Sequence, residues 1–315
     1  MKRGAVWRGS LAARRALRRS KSSGHAGAIG PSEWTADGCP SQRNGGAQML
    51  RQVIKLARRS GPARIVLDRL IAERRFRRDR GQLREWTSAD ERLAGFYADF
   101  VAPGDIVFDV GANIGNRAKI FAHLGAEVIA FEPQPYCISV LEAGFAEHEN
   151  VTIVRDALGA APGSAEMFIS DSSTISSLST AWIDAVKKSG RFGDKDWDVR
   201  TRINIVTMDH ARVKYGEPSF VKIDVEGFEV EVLKGLSAPV PALSFEFTPE
   251  CLEQASECID RIARLGPYRF NFSQGESLAL KYADWVEAEV MRQMLSEADA
   301  ADWGDVYARS AQPKS

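Results

Sequence analysis

An apolar run that ends in an acid and two glycines is the feature that most constrains the fold of this chain. Ile106, Val107 and Phe108 form a short continuous apolar stretch, which is typical of a strand buried on both faces of a parallel sheet. Gly111 and Gly115 follow, where the backbone has to turn and a ligand can approach it closely. Helical spacing of apolar residues begins after the second glycine. The stretch therefore predicts a strand, a tight turn and a helix, with a ligand at the carboxyl end of the strand.

The residues around the turn indicate which ligand binds there. Nicotinamide and flavin sites use G-x-G-x-x-G to hold a pyrophosphate. This turn has G-x-x-x-G instead, with Asp109 two residues before the first glycine. A carboxylate there would repel a pyrophosphate but suits a cofactor with an ammonium and a sulfonium group. D-x-G-x-x-x-G after a strand is similar to the first motif of class I S-adenosylmethionine-dependent methyltransferases, so we expect S-adenosylmethionine to contact Asp109, Gly111, Asn113 and Gly115.

A second acid follows the glycine turn at the spacing of a nucleotide fold. Residues 127–133 have the sequence EVIAFEP, which predicts a second strand that ends at an acid, Glu132. Glu132 lies about twenty residues after the turn, where such folds place the carboxylate that accepts hydrogen bonds from both ribose hydroxyls. A solvated turn residue is the alternative interpretation of Glu132. The joint spacing favours the cofactor role.

The adenine side of the site is predicted after a third strand. Residues 151–154 have the composition of a parallel strand, and Asp156 and Ala157 come directly after it. In this architecture the turn after the third strand borders the adenine ring. We expect Asp156 to accept a hydrogen bond from the exocyclic amine and Ala157 to cover the ring. The alternative is that Asp156 only forms a surface ion pair with Arg155.

Two carboxylates at the end of a fourth strand are the candidate catalytic groups. Residues 220–227, with the sequence FVKIDVEG, predict a buried strand that ends at Asp224 and Glu226. A doubly wound sheet places this strand end beside the first strand, so either acid is positioned to remove a proton from a hydroxyl nucleophile. Lys222 is expected to tune the acids or anchor an acidic substrate; the alternative is a helix cap and an ion pair. Glu246 projects near the same edge, but no cluster of fixed spacing predicts a metal site.

The whole pattern predicts an α/β fold. We expect a doubly wound, mostly parallel, seven-stranded Rossmann-like sheet with helices on both faces, a helical extension at the N-terminus, and last strands that are antiparallel. An insertion at about residues 170–201 contains a hydroxyl-rich segment, Trp182 and Trp197. It is predicted to be either an ordinary polar loop or a lid whose tryptophans contact the substrate.

The charge is unevenly distributed, with a strongly basic N-terminal segment followed by an acidic remainder. Residues 1–84 contain 21 Lys and Arg against 5 Asp and Glu, although the whole chain has no net charge. We expect residues 1–48 to be disordered, as a transit peptide or as a segment before a natural start at Met49, and residues 49–84 to form basic amphipathic helices. The basic run is a solvated face or, alternatively, a contact for nucleic acid or an anionic membrane. Residues 85–310 are the predicted methyltransferase domain.

Compartment follows from what the sequence lacks. No segment has eighteen consecutive apolar residues, and no signal-peptide core is present. The four cysteines are too irregularly spaced for a zinc site and too sparse for a disulfide scaffold. These features favour a reducing compartment, and we expect a cytoplasmic protein without a membrane span.

The motifs together resemble one family. FDVGANIG at residues 108–115, FEP at 131–133, VKIDVEG at 221–227 and FEF at 245–247 are similar to the FkbM family of methyltransferases, over roughly residues 90–310. The resemblance implies a class I methyltransferase sheet, S-adenosylmethionine as methyl donor, and O-methylation of sugars or natural-product hydroxyls.

The predicted function is therefore methyl transfer from S-adenosylmethionine to a hydroxyl of a small molecule. An RNA 2′-hydroxyl methyltransferase and an NAD-dependent dehydrogenase are the alternatives. The segment after the fourth strand has no prolines to cradle a flipped base and adds negative charge, which argues against a nucleic-acid substrate without eliminating 2′-hydroxyl methylation. The acceptor and the oligomeric state are left open.

Overall fold

The central sheet is formed by the apolar runs that the sequence predicts as strands. The computed structural model describes residues 61–170, 175–193, 195–297 and 303–311, with side chains from residue 65 onward. The disorder predicted for residues 1–48 and the helix predicted for residues 49–60 lie outside them. The strands are β1 Ile106–Val110, β2 Glu127–Phe131, β3 Val151–Val154, β4 Ala157–Leu158, β5 Gly163–Ile169, β6 Val199–Val206, β7 Phe220–Ile223, β8 Ala242–Phe247, β9 Tyr268–Gln274 and β10 Gly304–Ser310.

Seven of these strands form one sheet in the order β3-β2-β1-β7-β8-β10-β9. The first five in that order are parallel, whereas β10 is antiparallel to both β8 and β9. This confirms the predicted α/β class with a doubly wound, mostly parallel seven-stranded sheet and an antiparallel end. The strand order reverses between β1 and β7, so a crevice opens at the carboxyl ends of these two strands.

Helices cover both faces of the sheet. Val107 and Phe108 of β1 belong to different buried clusters, one with Phe121 and the other with Leu233. Because β1 is buried on both faces, its apolar run is uninterrupted. The helices are α1 Gly61–Arg84, α2 Ser88–Tyr97, α3 Asn116–His123, α4 Pro135–Gly144, α5 Thr180–Ser189, α6 Met208–Tyr215, α7 Glu229–Lys234, α8 Leu252–Leu265 and α9 Ala288–Ser296.

The N-terminal extension is the basic helix α1. Its C-terminal half packs on α4, where Leu83 is buried and the Tyr136 hydroxyl donates to an Asp79 oxygen at 2.6 Å. The apolar residues nearer its start, such as Ile65 and Leu70, are exposed. The apolar face of this helix is thus only partly covered by the part of the chain that the structure describes. None of the helices described is long and apolar enough to cross a membrane.

The insertion begins from a small second sheet with the strand order β4-β6-β5. Trp182 and Trp197 pack with Ile175 in a separate buried cluster, where they are 1% and 5% exposed. The Trp197 indole N–H donates to the Ile175 carbonyl oxygen at 2.6 Å. The alternative in which these tryptophans contact the substrate is therefore wrong, because a local apolar core buries both rings.

Candidate active site

A cavity of about 280 Å³ lies at the carboxyl ends of β1, β2, β7 and β8. It occupies the crevice at the reversal of strand order, which is where doubly wound sheets bind ligands. Charged and polar residues on its wall are Asp109, Asn113, Asn116, Arg117, Glu132, Gln134, Ser176, Asp224, Glu226, Glu246 and Glu276. Its apolar lining includes Phe131, Ala157, Leu158, Met167, Leu178 and Phe228.

The glycine turn forms the floor of this cavity. Gly111 has φ of 84°, and a Cβ atom there would lie 1.9 Å from the Asp224 carbonyl oxygen, so only glycine fits between the ends of β1 and β7. The Gly111 and Ala112 N–H groups both donate to the Phe131 carbonyl, at 2.9 and 3.0 Å. These bonds fix the turn against β2. Asn113, with φ of 50°, lies at the top of the turn and faces the cavity.

Glu132 is buried and held by backbone donors. Its two carboxylate oxygens accept from the N–H groups of Asn113 and Gln134, each at 2.7 Å. Burial raises the pKa of Glu132 to about 7, although the two backbone hydrogen bonds oppose this shift. The side chain therefore joins the end of β2 to the glycine turn while it lines the cavity.

Asp109 is the second buried acid of the cofactor side. Its carboxyl is 1% exposed, and its Oδ2 atom makes no hydrogen bond within the described residues. Burial raises the pKa of Asp109 to about 7, which the nearby Lys222 ammonium partly offsets. An unpaired buried carboxyl oxygen is costly, so a cationic donor in the cavity would be stabilised there.

Three carboxylates of the cavity lining meet near the ends of β7 and β8. One oxygen from each of Asp224, Glu226 and Glu246 lies within 4.8 Å of the others. Lys222 Nζ is 3.1 Å from Asp224 Oδ2 and 2.8 Å from Asp305 Oδ1. Burial by itself raises the pKa of Asp224, but the Lys222 ammonium outweighs it and holds that pKa below its ordinary value. The cluster has the oxygen donors that a hard cation prefers, but this alone assigns no metal.

The pKa values of Glu226 and Glu246 are shifted in the opposite direction from that of Asp224. Burial raises the pKa of both glutamates well above the ordinary value, and the negative charge of Asp224 adds to the effect. Groups of this kind hold a proton at neutral pH more readily than an ordinary carboxylate. The lysine-paired Asp224 is thus the weaker base of the three.

The backbone that carries Glu226 is clamped from two sides. Glu226 has φ of 52°, which is uncommon for a residue with a side chain. Glu229 Oε1 accepts from the N–H groups of Val225 and Gly227 at 3.1 and 3.2 Å, and the Ser177 hydroxyl donates to the Glu226 carbonyl at 2.6 Å. These contacts direct the Glu226 side chain toward the cavity.

Some predicted site residues do not line the cavity. Gly115, with φ of 93°, supports the turn from beneath, and a Cβ atom there would lie 2.7 Å from both Leu141 and Phe145. Asp156 is also outside the lining, although its neighbour Ala157 belongs to it. Lys222 is 1% exposed and points to two acids, so it cannot anchor a substrate and instead holds Asp224 in place.

Sequence reasoning missed several residues of the cavity. Arg117 follows Gly115 by two positions, so the sequence already placed it in the first turn of the helix after the glycine turn, next to the predicted ligand. Glu276 comes from the loop after β9, and no local pattern connects it with the glycine turn. Ser176 and Leu178 show that the hydroxyl-rich part of the insertion forms one wall of the cavity.

Comparison with known proteins identifies the family. Residues 109–300 match the family described as methyltransferase FkbM domain. The chain belongs to this family. FkbM-domain methyltransferases use S-adenosylmethionine, which confirms, at the level of the family, the cofactor predicted from the sequence.

Two curated methyltransferases are similar to parts of the chain. The 31-O-demethyl-FK506 methyltransferase FkbM of Streptomyces tacrolimicus is 53% identical over 49 residues, which is 15% of this chain and 18% of that protein. The hexuronic acid methyltransferase AglP of Haloferax volcanii is 28% identical over 141 residues, which is 45% of this chain and 54% of that protein. The matches thus span about half or less of these relatives.

Solved methyltransferase structures resemble the FkbM-domain chain more distantly. An S-adenosylmethionine-dependent O-methyltransferase from Thermotoga maritima has a TM-score of 0.33 and 12% identity, covering 73% of this chain and 68% of that one. Fibrillarin from Aeropyrum pernix, bound to S-adenosylmethionine, has a TM-score of 0.32 and 10% identity, covering 66% and 68%. Likeness at this level carries no argument about activity.

The buried acids predict a pH-dependent stability. Because the pKa of Glu132 is about 7 in the folded protein against 4.5 ordinarily, folding binds protons between these values, and its contribution to stability is lost as pH rises through 7. From pH 5 to pH 8, Glu132→Gln should gain about 2 kcal/mol of unfolding free energy relative to the wild type. Denaturant unfolding of the ligand-free protein measures this. Glu127→Gln, at the exposed start of β2, is the control. If the difference in unfolding free energy between Glu132→Gln and the wild type does not change with pH, the prediction is contradicted.

Proposed function

We propose that this protein transfers a methyl group from S-adenosylmethionine to a hydroxyl of a small molecule. One observation supports the proposal above the others: a single cavity brings the buried acids Asp109 and Glu132 together with the carboxylates at the ends of β7 and β8. The acids proposed to bind the cofactor and the acids proposed to accept a proton therefore line one cavity. The names of the two curated relatives, which refer to a natural product and to a hexuronic acid, support a small-molecule acceptor.

The cofactor side of the cavity fits the proposed ligand residue by residue. Glu132 would accept the ribose hydroxyls, since each of its oxygens retains acceptor capacity beside its backbone hydrogen bond. Asp109 would bind the ammonium with its unpaired Oδ2, and the turn at Gly111 would allow close approach. Ala157 and Leu158 offer apolar contact for the adenine. When bound, S-adenosylmethionine supplies a methyl group on a positively charged sulfur, which leaves as S-adenosylhomocysteine after in-line displacement.

The proton of the acceptor hydroxyl would pass to Glu226. Glu226 has to be ionised to accept this proton, and the positive charge of a bound sulfonium would oppose the rise in its pKa that burial and Asp224 cause. Asp224 stays charged beside Lys222, so its part would be to orient the acceptor and favour a positive charge in the cavity. The insertion, through Ser176 and Leu178, would exclude water from the reacting groups. We infer that residues 85–310 form the methyltransferase domain and that the insertion at 170–201 belongs to its acceptor site.

The same cavity argues against the alternative functions. Six carboxyl side chains line it, against one cationic side chain among the described residues of the wall. The ionised members of this set, such as Asp224 beside Lys222, would repel the phosphates of RNA and the pyrophosphate of NAD. The absence of the second glycine of G-x-G-x-x-G further disfavours a nicotinamide cofactor.

Cofactor binding tests the proposal directly. S-adenosylhomocysteine should bind in a calorimetric titration, whereas NAD should not. Glu132→Gln should weaken S-adenosylhomocysteine binding by about 10- to 100-fold, because the amide replaces a charged acceptor. Glu127→Gln, on the exposed end of the same strand, should bind as the wild type does. Binding of NAD alone, or an unchanged affinity of Glu132→Gln, would refute the cofactor assignment.

A further inference from the structure

Two buried charged atoms of the cavity lack a protein partner. Four buried side-chain atoms of the described residues make no hydrogen bond, and two of these, Asp109 Oδ2 and Arg117 Nε, belong to residues that line the cavity. One is an acceptor on a carboxyl and the other is a donor on a guanidinium. Buried polar groups are almost always hydrogen-bonded, so an orphaned pair of opposite character in one pocket points to a ligand that carries both complements.

We propose that Arg117 binds the carboxylate of the amino-acid end of the cofactor, while Asp109 binds its ammonium. This inference rests on the proposed function, because it assigns a further contact within the S-adenosylmethionine site. An α-amino acid group carries one ammonium and one carboxylate on the same carbon. It would satisfy Asp109 Oδ2 and Arg117 Nε together without adding net charge to the cavity.

The position of Arg117 supports this assignment. It lies in the first turn of α3, directly after the glycine turn that follows β1, and its guanidinium partly offsets the rise in the pKa of Asp109 that burial causes. Its Nη2 atom contacts the two Glu276 oxygens at 3.2 and 3.1 Å. This bond orients the guanidinium from the solvent side, since the Glu276 side chain is 63% exposed, and leaves Nε for a ligand.

The surrounding charges favour a zwitterion over a simple anion. Asp224 lines the cavity and keeps its charge beside Lys222, so it would repel a phosphate that carries no positive group. A ligand carboxylate beside Arg117 is acceptable when its own ammonium faces Asp109. The geometry thus selects the intact amino-acid end of the cofactor.

Two ligands that differ only in the carboxylate test the assignment. The wild-type protein should bind S-adenosylhomocysteine about 10- to 100-fold more tightly than its decarboxylated analogue, 5′-deoxy-5′-(3-aminopropylthio)adenosine. Arg117→Met should bring this ratio close to one. The analogue itself should bind the variant within about twofold of the wild type, since it never used the guanidinium. Arg77→Met, a change at an exposed arginine of α1, is the matched control and should keep the full ratio.

The outcomes separate this inference from the proposed function. If S-adenosylhomocysteine binds the wild type and Arg117→Met keeps the wild-type ratio, Arg117 is not the carboxylate-binding residue, and the proposed function stands. A wild-type ratio near one overturns the assignment without any variant, which covers the case in which Arg117→Met does not fold. If neither ligand binds the wild type, the proposed function and this inference both fail.

Discussion

Glu226→Gln is expected to slow methyl transfer by about 100- to 10,000-fold, the usual contribution of a positioned general base. Glutamine keeps the shape of the side chain but cannot accept the hydroxyl proton. S-adenosylhomocysteine affinity should change by less than about twofold, because Glu226 follows β7 and is not one of the proposed cofactor contacts. The measurement follows a labelled methyl group from S-adenosylmethionine into a small-molecule hydroxyl acceptor that the wild-type protein methylates.

Matched carboxylate changes sharpen this result. Glu231→Gln, on the exposed side of α7, should retain wild-type turnover. Glu246→Gln tests the neighbouring acid, whose pKa burial also raises. Full activity of Glu226→Gln together with inactive Glu246→Gln would move the base to β8, and full activity of both variants would remove these glutamates from the mechanism.

Lys222→Met is expected to lower the free energy of unfolding by about 3 kcal/mol at pH 7, because it removes the buried cation that contacts both the Asp224 and the Asp305 carboxylates. The lower end of the usual range applies since Asp224 is 35% exposed and remains partly hydrated. Denaturant unfolding gives the value. The loss should shrink as the pH falls and Asp224 becomes protonated.

An exposed lysine provides the control for this effect. Lys234 pairs with Glu231 at 2.8 Å, and both side chains are substantially exposed. Lys234→Met should therefore cost less than about 1 kcal/mol. Equal effects of the two lysine changes would show that the buried ion pairs of Lys222 do not stabilise the end of β7.

Local sequence order determined the elements of the fold and the cofactor side of the site. The apolar run of β1 predicted a strand buried on both faces, and Gly111 predicted the turn after it, because strand burial and turn geometry depend on neighbouring residues. Glu132 was found by its spacing from that turn. These residues lie close together in the sequence or at a characteristic spacing, so the sequence alone is sufficient to find them.

Contacts between distant segments decided the remainder. The sequence marked Asp224 and Glu226, but only the pairing of β7 with β8 brought Glu246 beside them. Likewise, the path of the loop after β9 placed Glu276 on Arg117, and a local core buried Trp182. A sequence pattern states which side chains end a strand or line a helix. Which of them meet depends on strand order and loop path, and these are set by the packing of the whole chain.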